Sequence, residues 1–384
     1  MAAVGHLPEL VTAELPAAVA LRHRLHADPR LSGDEDDTAD AVCAAIGLPG
    51  TRVADTGRVL RIGPATGPAV VLRAELDGLP LREQSGMPWA STTDVMHACG
   101  HDVHCAAVVA VARAAMQVEL PHAVVVLLQP REEKAPVGAP DVLADPGFTA
   151  HDVRAVIGAH VQPVLPRGAV GTSVGAVNAS ADELEIVVTG PGGHGAYPHR
   201  TADPVLAMAQ IVVALHHLVG RRVDPLEAAV LTVGEVHAGT APNIIPMRAT
   251  ARGTLRAMTA ADRDTLRRAA RDVVAHTAAA YGCSGELTVV DGEPALVNDP
   301  ELTRAAAAHL PGLALTPAAF RSCGADDFAH YSTAAPSVML FVGTGDGTPG
   351  APGLHHPMFV PPDEVVGDSA RAYLAGMLGA FDVL

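Results

Sequence analysis

An α/β fold with a mostly parallel sheet and helices on both faces, interrupted by an inserted α+β domain, is the architecture this sequence predicts. Three observations carry the expectation. Short Val/Leu/Ile runs alternate with longer Ala-rich stretches of helical character from about residue 10 to about residue 178, the pattern of a layered α/β protein. From about residue 180 to about residue 290 the order becomes strand, helix, strand, strand, helix, strand, which is the ferredoxin-like arrangement. A chain of 384 residues is also too long for one typical domain and suited to two.

Four apolar runs read as buried strands of the first domain, at residues 69–74, 123–128, 155–159 and 338–342. The inserted domain starts with a strand at 183–189 and a helix at 204–219. Strands at 228–236 and 247–255, a helix at 261–281 and a strand at 287–290 follow. The boundaries expected are therefore 1–178 plus 291–384 for the first domain and 179–290 for the insertion. The Gly/Pro-rich stretch 343–353 reads as a loop.

Composition excludes several functional classes. Nearly half the residues are apolar and only 3% are aromatic, which describes a globular protein built on Ala, Val and Leu rather than a disordered one. The formal charge of -16, with Lys134 as the one lysine, is repelled by phosphate backbones and anionic lipid. Neither nucleic acid nor membrane is an expected partner. Glu9 and Glu14 interrupt the first twenty residues, which lack a secretion signal's sustained apolar core, and no uninterrupted apolar run is long enough to span a bilayer. A soluble cytoplasmic protein is expected. There, five scattered cysteines read as free thiols or ligands rather than disulfides.

The chemistry gathers where the predicted strands end. Glu75-Leu76-Asp77 follows the first, and residues 96–102, MHACGHD, open an Ala/Val-rich helix. The second runs into QPREE at 129–133, the third into His160, and the fourth, after the loop, into His355-His356. Taken singly, each has an ordinary explanation. Cys99 suits a buried thiol, Asp102 an N-cap, Glu132 and Glu133 solvated loop acids, His160 a core histidine, and His355-His356 a surface pair. Taken together, thiolate, imidazole and carboxylate are the donors that zinc and neighbouring transition ions favour. They also arrive where α/β sheets bind ligands, beyond the carboxyl ends of strands. Five donors exceed the need of one tetrahedral ion and leave room for two, roughly 3.5–4 Å apart. A carboxylate beside a ligand, such as Glu132, has the position of a general base.

These motifs resemble the metallopeptidase family of aminoacylases and carboxypeptidases, in its hippurate hydrolase-like and auxin-conjugate-hydrolase-like branch. The resemblance covers nearly the whole chain. It rests on LRAELDGLP at 72–80, MHACGHD at 96–102, QPREE at 129–133, GGHGA at 192–196, NIIP at 243–246, GTLR at 253–256 and CGADDFA at 323–329, in the family's order. It implies a zinc-peptidase-like catalytic domain and a lid domain through which a homodimer can form. It also implies one or two divalent ions (Zn, Mn, Co or Ni) on Cys99, His101, Glu133, His160 and His355. Glu132 is then the general base, and Asp77 orients the site. His194 assists the oxyanion, and Asn243 and Arg256 bind the substrate carboxylate. The implied reaction is hydrolysis of a small N-acyl amino acid to a carboxylic acid and a free amino acid. Two rivals share the scaffold: a metallo-dipeptidase or carboxypeptidase, and a non-catalytic homologue kept for binding. Departures from the family pattern are Glu75 for Asp, Gly78 for Ala, Asp326 for Glu, and Lys134-Ala135-Pro136-Val137-Gly138 in place of a Gly-rich loop.

Overall fold

The computed structural model describes residues 4–384 and divides the chain into two compact units. The first runs through Gly175 and resumes over Val297–Phe320 and His330–Leu384. Its eight-stranded sheet has the spatial order Thr51–Val53, Gly57–Ile62, Ala123–Gln129, Pro68–Glu75, Asp152–Pro166, Ser337–Gly345, Ala169–Gly171, Thr316–Ala318. The middle four are mutually parallel. They are the four apolar runs visible in the sequence. Val70, Leu72 and Ala74 face a core shared with the helices Leu7–Ala27, His101–Ala115 and Glu364–Val383. Ala69, Val71 and Arg73, on the opposite face, are also fully buried. Burial on both faces removes the apolar/polar alternation that would have marked these runs as half-exposed. Toward the edges the pairing becomes antiparallel, between Thr51–Val53, Gly57–Ile62 and Ala123–Gln129, and between Ser337–Gly345 and Ala169–Gly171. Those edge strands are too short to leave a sequence signal.

The helix His101–Ala115 does not begin as the ordinary explanation of Asp102 has it. Asp102 is not its N-cap: Gly100 is, at φ 84°, where a side chain would be strained and a Cβ would lie 2.5 Å from Val161 Cγ2. Asp102 instead turns inward, taking hydrogen bonds from Arg22 Nε and His26 Nδ1, both at 3.0 Å. On its other side the His26 ring faces Glu83 Oε2 through Nε2 at 3.1 Å. Burial alone would lower the His26 pKa, but Asp102 and Glu83 outweigh it and raise it to about 9. A folded-state value above the ordinary 6.5 stabilises the fold fully below pH 6.5, and that contribution disappears as pH rises through 9. It amounts to about 3 kcal/mol. The urea midpoint should therefore fall between those pH values in the unmodified protein and much less in His26→Gln. Parallel curves for the two proteins would disprove the assignment.

The second unit comprises Ala176–Leu296 and Arg321–Ala329. Its strands Ser180–Thr189, Ala229–Ala238, Arg248–Ala257 and Ser284–Asp291 form an antiparallel sheet. In chain order they stand in the sequence 2-3-1-4, with helices Pro204–Arg222 and Ala260–Ala280 between them. This is the ferredoxin-like topology. Leu184, Ile186 and Val188 point into its core while Glu183 and Glu185 face solvent, the alternation of a half-buried strand. Pro204–Arg222 is long and apolar enough by composition to cross a membrane, yet it packs Ala207, Met208, Ile211 and Leu215 into this core. The sequence reading keeps residues 321–329 with the first domain; here they group with the second unit. Backbone hydrogen bonds tie them there, from Ala179 N to Gly324 O at 3.1 Å and from Ser322 N to Val177 O at 2.8 Å.

Candidate metal centre

A helix start, the end of one strand, the interior of another and a returning loop bring the candidate ligands together within the first unit; the third apolar run does not stop before His160, as the sequence suggests, but continues as strand to Pro166. Cys99 and His101 flank the left-handed Gly100, at the point where the chain enters the helix His101–Ala115. Glu132 and Glu133 follow the strand Ala123–Gln129. His160 lies on Asp152–Pro166, and His355 is carried back by the loop after Ser337–Gly345, its N–H donating to Ala98 O at 2.9 Å. One donor atom each from Cys99, His101 and His160 lie within 4.8 Å of one another. The same holds for Cys99, Glu133 and His355, and for His101, Glu132 and Glu133.

Backbone geometry explains how the loops aim these groups. Arg131 and His355 have φ of 53° and 62°, the left-handed region that non-glycine residues seldom occupy. The Arg131 N–H donates to Glu35 Oε1 at 2.8 Å, and the Glu133 N–H to Asp77 Oδ2 at 3.0 Å. Asp77 Oδ2 also accepts the Ser32 hydroxyl at 2.7 Å, while the Asp77 carbonyl takes the His101 Nδ1 proton at 2.8 Å. With its proton on Nδ1, His101 presents Nε2 as a donor atom. The pair His355-His356 is also resolved: His355 Nε2 lies 3.6 Å from Glu133 Oε1, whereas His356 Nδ1 accepts the Met358 N–H.

The donor atoms crowd together. His101 Nε2 is 3.8 Å from Glu132 Oε2 and 3.9 Å from Glu133 Oε1. His101 Nε2 and Glu133 Oε1 are buried with no hydrogen-bond partner, a condition that buried polar atoms rarely tolerate. Cys99 Sγ stands 3.4 Å from His160 Nε2. A divalent transition ion would satisfy all of these atoms, and thiolate, imidazole and carboxylate are its donor types. The residues fit such an ion.

Electrostatics agree. Burial lowers the His101 pKa, but the Asp77 hydrogen bond and the charges of Glu75 and Glu133 outweigh it and raise it to about 10. The same surroundings that hold a proton there favour any cation. Burial raises Glu133, and it presses His160 down to about 3, keeping that ring neutral. Burial also works against ionisation of Asp77, yet the neighbouring His101 and the hydrogen bond from Ser32 leave it below the usual carboxylate range.

The remaining predicted site residues belong to the second unit. His194 and Asn243, 49 positions apart, are brought together: Gly193–His194 pairs with Ile244–Ile245, and the Gly195 N–H donates to Asn243 O at 2.8 Å. His194 is exposed, its Nδ1 accepting the Ala196 N–H. Arg256 sits on Arg248–Ala257 and donates from Nη1 to Cys323 O at 3.0 Å. Asp326, a departure from the family pattern, accepts the Phe328 N–H through Oδ1 at 2.8 Å.

Sequence reasoning passed over several residues around the ligands. His104 lies one helical turn beyond His101, a spacing that could have flagged it. Its Nδ1 bonds Glu75 Oε2 at 2.9 Å, and Glu75 also pairs with Arg73. The departure at Glu75 is thereby explained, since its carboxylate spans both partners. Glu35 and Ser32 carried no signal at all, being ordinary polar residues until the fold places them under the QPREE loop.

A family model described as peptidase family M20/M25/M40 matches residues 71–377. N-acetyl-L-cysteine deacetylase of Bacillus subtilis is 34% identical over 351 residues, covering 89% of this chain and 82% of that protein. N-acetyldiaminopimelate deacetylase of Exiguobacterium sibiricum is 32% identical over 360 residues, covering 91% and 95%. Among solved structures, the Bacillus subtilis YXEP protein, a dinuclear metal binding peptidase from the M20 family, is 31% identical with a TM-score of 0.82, covering 95% of this chain and 98% of that one. The motifs, the sheet with its inserted ferredoxin-like unit and the family match agree: this chain belongs to peptidase family M20/M25/M40.

Proposed function

We propose that the chain is a metal-dependent amidohydrolase that cleaves N-acyl amino acids. The observation that carries this reading is the convergence of Cys99, His101, Glu133, His160 and His355 around partnerless buried donor atoms, with Glu132 beside them. Two donor trios that share Cys99 support a pair of ions, of Zn, Mn, Co or Ni. Such ions supply Lewis acidity, which polarises a carbonyl and makes water more acidic. Glu132 accepts a proton from the attacking water and delivers it to the leaving nitrogen as the C–N bond breaks, giving a carboxylic acid and an amine. Asp77 keeps His101 and the Glu133 backbone in place. His194 assists the charge that develops on the carbonyl oxygen. Asn243 and Arg256 take the substrate carboxylate, for which the planar guanidinium fork is suited.

Deacetylase relatives from two organisms support an acyl amino acid over a peptide substrate. Free cysteines throughout the chain fit a reducing, cytoplasmic setting. Homodimerisation through the second unit is supported by its edge strand Ala229–Ala238, where Val230 and Val236 are exposed, and by Leu206 and Val213 on the adjoining helix. Sedimentation of the metal-loaded protein tests it, a monomer at all concentrations being the contrary result.

The activity test reconstitutes apo-protein separately with Zn²⁺, Mn²⁺, Co²⁺ and Ni²⁺ and assays N-acyl amino acids, dipeptides and N-acyl amines that lack a carboxylate. Metal-dependent turnover of N-acyl amino acids above dipeptides is expected. Arg256→Ala should weaken the carboxylate-bearing substrates most; an equal loss on the N-acyl amines would remove Arg256 from recognition. No turnover of any compound with any ion would leave a non-catalytic homologue, and a preference for dipeptides would leave a peptidase.

A further inference from the structure

Beneath the candidate ligands the backbone of one residue, Val161, is held on both sides. His104 Nε2 accepts the Val161 N–H at 3.0 Å, and the Val161 carbonyl accepts the His160 Nδ1 proton at 2.8 Å. Backbone groups have fixed roles, so each ring's tautomer follows. An N–H can only donate, which leaves the His104 proton on Nδ1, where Glu75 Oε2 receives it at 2.9 Å. A carbonyl can only accept, which puts the His160 proton on Nδ1 and leaves Nε2 as a donor atom, 3.4 Å from Cys99 Sγ. The two rings lie 4.8 Å apart, centroid to centroid.

Glu75 is itself fixed. It pairs with the buried Arg73, whose Nε donates to Gln129 Oε1 at 2.8 Å, and that same oxygen accepts the Tyr331 hydroxyl at 2.9 Å. Burial opposes the charge on Glu75, but Arg73 and His104 hold its carboxyl well below the usual range. Val161 also touches the other ligand-bearing segment: Gly100, between Cys99 and His101, comes so near its side chain that even a methyl group would collide. The position of this one residue therefore bears on three candidate ligands.

We propose that Glu75 and His104 are positioning residues, a relay that fixes the Val161 backbone and, through it, the tautomer and aim of His160, and so sets the metal affinity of the site. The inference rests on the metal reading above. Outer partners of this kind are typically worth 10–100-fold in affinity.

Two substitutions separate the relay from simple packing. His104→Asn keeps a donor near the Nδ1 position but has no acceptor for the Val161 N–H, whereas His104→Gln places an amide oxygen near the Nε2 position. Affinities of the folded apo-proteins for Zn²⁺ and Co²⁺ are measured by chelator competition, together with the Co²⁺ absorption spectrum. His104→Asn should bind both ions about 10–100-fold more weakly with an altered spectrum, and His104→Gln should recover most of the affinity. Wild-type affinity and spectrum in His104→Asn would overturn the relay. Should that variant not fold, ring ¹⁵N shifts of the unmodified apo-protein decide: Nδ1–H tautomers for His104 and His160 support the relay, and an Nε2–H tautomer for either overturns it. Failure of the unmodified protein to bind either ion is a different result, which removes the metal reading itself.

Discussion

Glu132→Gln is expected to retain its metal and to lose turnover by a factor of about 10²–10⁴, the usual worth of general base catalysis. The substitution keeps the size and shape of the side chain and removes only its capacity to accept a proton. Glu132 and Glu133 are neighbours on one loop, yet their surroundings differ. Glu133 is drawn in by its backbone bond to Asp77 Oδ2, and its Oε1 sits 3.6 Å from His355 Nε2 and 3.9 Å from His101 Nε2. Glu132 Oε2 stands 3.8 Å from His101 Nε2. Glu133→Gln should therefore lower metal content, and Glu132→Gln should not. Metal stoichiometry and kcat measured on both proteins decide the assignment. A Glu132 variant that loses its metal but recovers activity in excess metal would exchange the two roles, and one that stays fully active would remove Glu132 from the mechanism.

That two adjacent carboxylates diverge is a backbone effect, and it shows where the sequence stops being informative. QPREE announces a pair of acids after a buried strand. Nothing in its letters announces that Arg131 adopts φ 53° or that Glu35, almost a hundred positions earlier, accepts its N–H. The buried parallel strands were legible because each is an apolar run, and the ferredoxin-like unit because its strand-like and helix-like stretches follow one another in that fold's order. The short edge strands were not, having too few residues for any period to show. The second unit's claim on residues 321–329 depends on backbone hydrogen bonds such as Ser322 N to Val177 O, for which local sequence carries no code.

The same limit divides the site. Cys99, His101, Glu133, His160 and His355 could be nominated because their side chains have metal-ligating chemistry and follow apolar runs. Asp102 was open to an N-cap reading because its motif opens a helix; the structure gives that position to Gly100 and spends Asp102 on Arg22 and His26. Groups that work by holding other groups leave a fainter trace. Ser32 and Glu35 are visible only once the chain is folded, His104 leaves no more than its one-turn spacing from His101, and Glu75 in place of Asp stood as a bare departure from the family pattern until Arg73 and His104 were both seen to use it.

Cys99→Ala is expected to have the larger effect on metal content, and a second thiol six positions away supplies its control. Cys99 belongs to two donor trios at once, with His101 and His160 and with Glu133 and His355, so its removal weakens both together. Thiolates bind such ions through a charged sulfur, and alanine offers no substitute. Cys105 is equally buried but differently employed: its Sγ donates to the Glu75 carbonyl at 3.1 Å, and burial, reinforced by the charge of Glu75, pushes its pKa well above the thiol's ordinary value. It remains a neutral hydrogen-bond donor, a role a serine hydroxyl can take over. Cys105→Ser should therefore keep its metal and most of its turnover, while Cys99→Ala, purified and loaded in parallel, should be depleted of metal and inactive. Near-equal thermal unfolding of the two apo-proteins would exclude a general loss of structure as the cause. Full metal occupancy and normal turnover in Cys99→Ala would show that the ligand set proposed here is wrong.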